Sequence, residues 1–204
     1  MGEIGDKPLL KMAVAFDDLA DTVNSKEVDL EVGAFAIGCS QVSPLFGFLG
    51  FAFKIAEKDF VSKVEDLKEA SKSVTSLELL LDLDVEKNCV KTGGSRSRNL
   101  LRVKRGLDMI RVLFENIIAE DDESIRAPAS QAYDQVLAPY HGWPIRAAVS
   151  AGFYTLPTRK QLLEKFNEDE NSAKVYMQKY IASSAVVIHY VEELFISRKL
   201  GTDW

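Results

Sequence analysis

Apolar residues recur every three or four positions along almost the whole chain, which is the spacing of helices with one buried face. The sequence shows neither the sustained apolar/polar alternation of half-buried strands nor a hairpin signal such as Asn-Gly. The pattern predicts helices near residues 7–23, 31–56, 57–90, 95–119, 127–138, 143–155, 158–167 and 169–198. We therefore expect an all-α protein of about eight helices, packed in layers or bundles.

Short breaks separate the predicted helices. Thr158 is placed to cap the helix that follows it, and Pro144 suits a first helical turn, where its missing N–H costs nothing. No linker of unusual length or composition divides the chain, and no internal repeat is found. We therefore expect one domain over residues 1–204.

Charge and composition limit the class of protein. The net charge of −6 and the pI of about 5.1 argue against a general nucleic-acid-binding protein. Cys39 and Cys89 are too few for a disulfide framework and are expected to be buried thiols. The longest apolar run, residues 44–53, is about half as long as a membrane-spanning helix. Because the N-terminus also carries charges where a signal peptide is apolar, we expect a soluble, cytoplasmic protein.

Positive charge is concentrated in residues 91–111, which hold seven basic residues and one acid. On a helix that turns by about 100° per residue, Arg98, Arg102 and Arg105 fall almost opposite the apolar stripe. The positions four residues away carry no acid, and the helix would begin after Gly93-Gly94, leaving free N–H groups near Arg98. The arginines are therefore either a solvated basic face or an anion site. Phosphate is the anion that forked guanidinium groups fit best.

Two further polar groups stand beside apolar residues. Asp59 and Lys63 lie four positions apart on one flank of an aromatic-rich helical stripe. They could be an exposed ion pair worth less than about 1 kcal/mol, or they could share a binding site. His141 and Trp143 occupy the turn Pro139-Tyr-His-Gly-Trp-Pro144, which could be purely structural or could present both side chains outward.

Signatures of catalysis are missing from the sequence. It has no Gly-x-Ser-x-Gly elbow, no Walker loop, no His-Glu-x-x-His and no Cys-x-x-Cys. The two histidines, His141 and His189, lie far apart, and neither has zinc-ligand neighbours. We therefore expect neither an enzyme nor a metal or cofactor site.

Taken together, these segments resemble the glycolipid transfer protein family, and within it the ceramide-1-phosphate branch. The resemblance extends over nearly the whole chain and includes VSPLFGFLGFAFKIAEKDFVSKVEDL, RNLLRVKRGLDMIRVLFE, HGW and the C-terminal LGTDW. It implies a two-layer helical sandwich with a single lipid site. In that site a polar headgroup patch lies at the mouth of an apolar pocket for the ceramide chains.

The resemblance also implies roles for individual residues. Asp59 matches the aspartate that hydrogen-bonds the ceramide amide and the sphingosine hydroxyl, and His141 matches the histidine that binds the acyl carbonyl. Glycolipid-carrying members have an amide side chain at the position of Lys63 and a sugar-stacking Trp at that of Arg102. Here both positions are cationic, and with Arg98 they are expected to bind a phosphate monoester of about −1.5 to −2 charge.

Two neighbouring residues complete this interpretation. Trp143 matches a family Trp associated with docking on membranes, and an indole ring suits a membrane interface. Arg105 belongs to the same basic element, but it is not assigned to the phosphate.

The sequence thus predicts a non-enzymatic carrier that moves ceramide-1-phosphate between membranes by transient contact with their surfaces. It needs no cofactor, no metal and no nucleic-acid partner. Two alternatives stay open. One is a lipid-sensing regulator of programmed cell death that acts through protein partners. The other is a glycosphingolipid carrier, which the missing stacking Trp disfavours.

Overall fold

The structure, a computed structural model, describes residues 6–50, 53–120 and 122–204. Among these residues there are ten α-helices and no strand, apart from two isolated bridges. The helices are α1 (Pro8–Ser25), α2 (Val32–Ser40), α3 (Ser43–Phe48), α4 (Lys54–Ala70), α5 (Leu77–Glu86), α6 (Arg96–Ala119), α7 (Arg126–Val136), α8 (Trp143–Gly152), α9 (Arg159–Phe166) and α10 (Glu170–Ser197). The all-helical prediction is confirmed.

Helix α6 lies at the centre of the fold and packs against α4, α5, α7 and α10. Helix α1 packs along α10 and also meets α2. The predicted apolar stripe of α6 is buried, because five of its side chains are each at most 1% exposed: Leu100, Val103, Leu107, Ile110 and Phe114. On the opposite side of α6, Arg102 is exposed and Arg98 partly exposed, so this part of the basic face points away from the core.

The helix predicted at residues 31–56 is divided into α2, α3 and the first residues of α4. Pro44 lies in the first turn of α3, where a missing N–H is tolerated. Gly50 follows α3 with a φ of 104°, a conformation that side chains other than glycine rarely adopt. Residues 51 and 52 of the predicted helix lie outside the described residues.

The helix predicted at residues 57–90 is also divided, because the chain leaves the helical conformation between α4 and α5. Ser76 begins α5, and its side chain accepts a hydrogen bond from the N–H of Leu79. Two backbone hydrogen bonds hold the break against the start of α2, from Val32 to Thr75 and from Leu77 to Leu30. The remaining predicted helices end within a few residues of the observed ones.

Both predictions about helix starts are confirmed. Thr158 and Gln161 form a capping box at the start of α9, in which each side chain binds the other residue's backbone N–H. Pro144 lies in the first turn of α8. The two cysteines are free, but only Cys39 is fully buried, whereas Cys89 is partly exposed.

Helices α4 and α6 approach each other closely at Gly106. A Cβ atom added there would lie 2.9 Å from Cδ2 of Phe60, which is itself buried on α4. The missing side chain lets the two helices pack at this point. It also brings Asp59 and Lys63, the neighbours of Phe60 along α4, close to the basic face of α6.

Candidate anion-binding site

Asp59 and Lys63 form an ion pair across one turn of α4, and Nζ of Lys63 also donates to the main-chain oxygen of Asp59 at 3.3 Å. The Lys63 side chain is 10% exposed, whereas that of Asp59 is 65% exposed. The ion pair is therefore only partly exposed, and not the fully exposed pair that was one of the two alternatives from the sequence. Lysine has three N–H donors, and Asp59 takes two of those of Lys63.

The start of α6 differs from the prediction of free N–H groups. The Ser95 hydroxyl accepts from the N–H of Arg98, and the buried carboxylate of Asp84 accepts from the N–H of Ser97 at 2.8 Å. Because these two N–H groups already have acceptors, they are not available to an anion. The Arg98 side chain donates from Nη1 to the main-chain oxygen of Lys91 at 3.2 Å and lies against this turn.

Arg102 is the exposed member of the basic face. Its side chain forms no hydrogen bond or ion pair with any residue of 6–50, 53–120 or 122–204. The other basic residues of α6 that face neighbouring acids are neutralised, since Lys104 binds Glu192 at 3.1 Å and Arg111 binds two carboxylates. The guanidinium of Arg102 is thus available to an external anion.

His141 lies directly after a short 3-10 helix, Ala138–Tyr140, and is partly buried. Its Nδ1 atom is 2.9 Å from the hydroxyl of Tyr133, a buried residue of α7. Burial lowers the pKa of the imidazole, the positive charges of Arg102 and Arg105 lower it further, and Asp59 opposes this by raising it. The lowered pKa favours a neutral ring at pH 7. If Nδ1 of that ring accepts from Tyr133, Nε2 carries the proton and can donate it to a ligand.

Most of the predicted residues come together in one cluster. Arg102 and Asp59 are both close enough to His141 to change its pKa, and Lys63 is bound to Asp59. Arg98 lies one helical turn before Arg102 and forms the edge of the cluster. The arrangement offers cationic donors, one carboxylate acceptor and one imidazole over a small area, which suits a phosphorylated ligand with an amide or hydroxyl group.

Trp143 lies just outside this cluster, at the start of α8. It is 79% exposed, Ile145 is 51% exposed, and Gly152 is the one fully buried residue of this ten-residue helix. An apolar helix that packs so little leaves its surface open to another partner. None of the helices in the described part of the chain is both long enough and apolar enough to cross a membrane.

Sequence reasoning missed two residues of the site, Tyr133 and Arg105. The helical pattern of α7 indicates that Tyr133 is buried, but not that its hydroxyl reaches His141. The helical pattern places Arg105 on the same face as Arg98 and Arg102, yet it is 8% exposed and donates to main-chain oxygens near the C-terminus. Within the three described ranges, no group of three or more His, Cys, Asp or Glu residues could hold a metal ion.

The chain is similar to known proteins over most of its length. A family model described as Glycolipid transfer protein (GLTP) matches residues 30–168. The protein named Accelerated cell death 11 from Arabidopsis thaliana is 56% identical over 200 residues, which cover 98% of this chain and 97% of that protein. The Ceramide-1-phosphate transfer protein of Rattus norvegicus is 28% identical over 167 residues, which cover 74% of each chain.

The fold has a near-identical counterpart among solved structures. A crystal structure of a mutant of Arabidopsis ACD11 (accelerated-cell-death 11), complexed with C12 ceramide-1-phosphate, matches with a TM-score of 0.96. The two chains are 55% identical, and the match covers 98% of this chain and 100% of that one. The predicted two-layer helical fold is confirmed by this likeness.

Proposed function

The chain belongs to the glycolipid transfer protein family, and we propose that it carries ceramide-1-phosphate between membranes without changing it chemically. Members of this family transfer lipids and are not enzymes. The relatives above include a protein named for ceramide-1-phosphate transfer and a structure that holds this lipid. Residues 1–204 would act as one domain, a reading supported by the packing of α1 against α10.

The proposal rests on three cations. Among the described residues, Arg98 and Arg102 have no carboxylate partner, and Lys63 pairs with the largely exposed Asp59. In our proposal Arg102, Arg98 and Lys63 bind the phosphate. Within the described part of the chain, no group occupies the N–H donors of Arg102, whereas Arg98 uses one donor on a carbonyl and Lys63 keeps one N–H after binding Asp59. A phosphate monoester of about −1.5 to −2 charge needs several such donors, whereas a neutral sugar would leave these cations without a counter-charge.

The ceramide amide would bind beside the phosphate. The exposed carboxylate of Asp59 can accept from the amide N–H and the sphingosine hydroxyl, and Lys63 offsets the repulsion between this carboxylate and the phosphate. The neutral His141 can donate from Nε2 to the acyl carbonyl while Tyr133 holds Nδ1. Each hydrogen-bond donor of the ceramide would then have an acceptor in the protein, and its carbonyl would have a donor.

The two lipid chains would enter the apolar interior beneath these groups. Phe60 directly follows Asp59 and packs on Phe46 at 5.1 Å between ring centroids. Phe153 packs on Tyr133, the partner of His141, at 5.9 Å. Aromatic rings thus lie next to Asp59 and next to the Tyr133–His141 pair. Burial of each methylene contributes about 0.8 kcal/mol, so the chains would supply most of the affinity and the polar cluster the selectivity.

Helix α8 would dock on the membrane. Trp143 and Ile145 are exposed there, two and four residues after His141, so docking would bring the headgroup site to the lipid surface. An indole ring is suited to the boundary between headgroups and acyl chains. The protein would then be cytoplasmic and peripheral at membranes, with transient contact at each transfer.

Replacing two cations tests the phosphate assignment. We expect the double variant Lys63→Asn, Arg102→Trp to transfer ceramide-1-phosphate between vesicles at least about tenfold more slowly, because about two charge-assisted hydrogen bonds are lost. A matched control, Lys68→Asn with Lys174→Trp, removes the same charge from exposed positions on α4 and α10. Unchanged transfer by the site variant would show that these residues do not bind the phosphate.

As a second function we propose a lipid-sensing regulator of programmed cell death that acts through protein partners; the name of the relative Accelerated cell death 11 supports the link to cell death. The kinetics of lipid release separate the two. A carrier loaded with labelled ceramide-1-phosphate should release it on contact with acceptor vesicles, whereas a sensor should hold it for hours under the same conditions.

A further inference from the structure

Arg105 is the one arginine of the basic face that is turned inward. It is 8% exposed, and its Nη2 atom donates to the main-chain oxygens of Thr202 and Trp204, at 2.8 and 2.6 Å. These acceptors lie almost a hundred positions away in the sequence. Arg105 therefore joins the centre of α6 to the C-terminal segment, residues 200–204.

The same guanidinium lies over the ring of Tyr140, with its central carbon 3.4 Å from the ring centroid. Tyr140 ends the short 3-10 helix and directly precedes His141. The main chain that carries His141 is thus held by the face of the guanidinium, while the N–H edge of the same group holds the C-terminal segment.

The C-terminal segment is itself firmly placed. Nε1 of Trp204 donates to the main-chain oxygens of Leu200 and Gly201, both at 3.1 Å. The indole also packs on Phe195 of α10, and Nζ of Lys91 lies 5.3 Å from its ring centroid. Arg105 therefore has a fixed support on one side and the Tyr140–His141 segment on the other.

From these contacts we propose that Arg105 is a positioning residue of the headgroup site, which clamps Tyr140 between α6 and the C-terminal segment and so fixes the place of His141. In this proposal it supports the site and does not bind the phosphate, since its Nη2 is engaged by main-chain oxygens and its face lies on Tyr140. Only arginine combines a flat face that stacks on a ring with an N–H edge that binds two acceptors. The inference rests on the proposed function only in treating the cluster around His141 as the headgroup site.

The variant Arg105→Lys separates position from charge, since it keeps the positive charge but loses the flat face and the fork. We would follow the His141 imidazole by NMR during a pH titration of the lipid-free, full-length chain. In the wild type, burial, Arg102 and Arg105 lower its pKa, Asp59 raises it, and Tyr133 contacts Nδ1. In the variant we expect the ring to become more exposed and its pKa to rise toward the ordinary value of about 6.5. Ceramide-1-phosphate transfer should fall about tenfold, which corresponds to the loss of one hydrogen bond from His141.

The control variant is Arg111→Lys, which changes the same residue type on the same helix away from the site. It should leave the His141 titration and the transfer rate as in the wild type. An Arg105→Lys variant that titrates and transfers like the wild type would overturn the proposal.

Tyr140 provides a second test if Arg105→Lys does not fold. Tyr140 is 41% exposed, so its replacement should be tolerated. Tyr140→Leu should shift the His141 titration as Arg105→Lys does, whereas Tyr140→Phe keeps the ring and should restore wild-type behaviour. A wild-type titration in Tyr140→Leu would also overturn the proposal. Absence of ceramide-1-phosphate transfer in the wild type would instead refute the proposed function, and the lipid-free titrations would still decide the role of Arg105.

Discussion

The two halves of α6 carry the same type of side chain and use it differently. In the C-terminal half, Arg111 donates to Asp108 at 2.8 Å and to Glu115 at 2.6 Å, its neighbours one turn away on either side. In the N-terminal half, Arg102 has no acceptor among the described residues, and Arg98 donates to a main-chain oxygen. One half is neutralised within the helix, and the other is not.

This difference shows that a basic run in a sequence need not be one functional unit. Paired charges on a helix surface stabilise it by a few tenths of a kcal/mol each. Clustered cations without acids cost some stability by mutual repulsion and leave a positive potential outside the helix. Burial lowers the pKa of His141 most, and Arg102 and Arg105 lower it further because their charges disfavour the protonated ring.

Charge reversal in each half should produce the largest and most contrasting effects. Arg102→Glu should weaken ceramide-1-phosphate binding about a hundredfold, since a charge-assisted contact of about 2 to 3 kcal/mol is lost and a repulsion is added. Its free energy of unfolding should stay within about 0.5 kcal/mol of the wild type, because Arg102 is exposed and has no partner among the described residues.

Arg111→Glu should instead lower the stability of the protein and leave its lipid binding unchanged. It places a third acid beside Asp108 and Glu115 and should lower the free energy of unfolding by about 2 kcal/mol. The fraction that remains folded should bind the lipid normally. Urea unfolding and binding to lipid-loaded vesicles measure both quantities. Equal destabilisation by the two reversals would contradict the distinction between the halves.

Gly106 lies between the two halves, and its replacement by Ala should have an intermediate effect on stability. The new Cβ would meet Phe60, which is buried against Phe46 and has little room to move. Overpacking costs about 1 to 3 kcal/mol, and the better helix propensity of Ala returns about 1 kcal/mol. We expect a net loss of up to about 2 kcal/mol in the free energy of unfolding.

Gly33→Ala on α2 is the matched control for this change. There an added Cβ would lie 3.5 Å from the nearest atoms, those of Ser71, which is ordinary contact. This variant should be neutral or stabilised by up to about 1 kcal/mol. A Gly106→Ala protein as stable as Gly33→Ala would mean that α4 and α6 do not approach as closely as the structure indicates.

Periodicity predicts the faces of these helices well, because burial of an apolar stripe repeats every turn. The buried stripe of α6 and the ion pair between Asp59 and Lys63 both follow from residues at most four positions apart. The matching of side chains on separate helices does not follow from periodicity. Asp84 reaches Ser97, Tyr133 reaches His141, and Arg105 reaches Trp204 only after the helices have packed. For this reason the prediction of free N–H groups near Arg98 is wrong. For the same reason the sequence does not indicate a role for Arg105.

The smallest predicted effect concerns pH and tests whether the positive potential acts on His141. Burial foremost, and then Arg102 and Arg105, lower the pKa of this residue in the folded protein, and Asp59 opposes them. Just below the ordinary histidine pKa of about 6.5, His141 is protonated in the unfolded chain but still neutral in the folded protein. This residue therefore reduces the free energy of unfolding as the pH falls from about 7 to 5, and it has no such effect at higher pH.

The wild type should consequently lose more stability over that interval than His141→Asn, whose side chain does not titrate. Arg102→Glu should fall between them, because it removes one of the two arginines that oppose protonation but leaves the burial of the ring. Urea unfolding of the three proteins at pH 7, 6 and 5 measures these differences. Parallel curves for the wild type and His141→Asn would show that His141 does not respond to its surroundings. An Arg102→Glu curve identical to that of the wild type would show that the unpaired charge on α6 does not reach the imidazole.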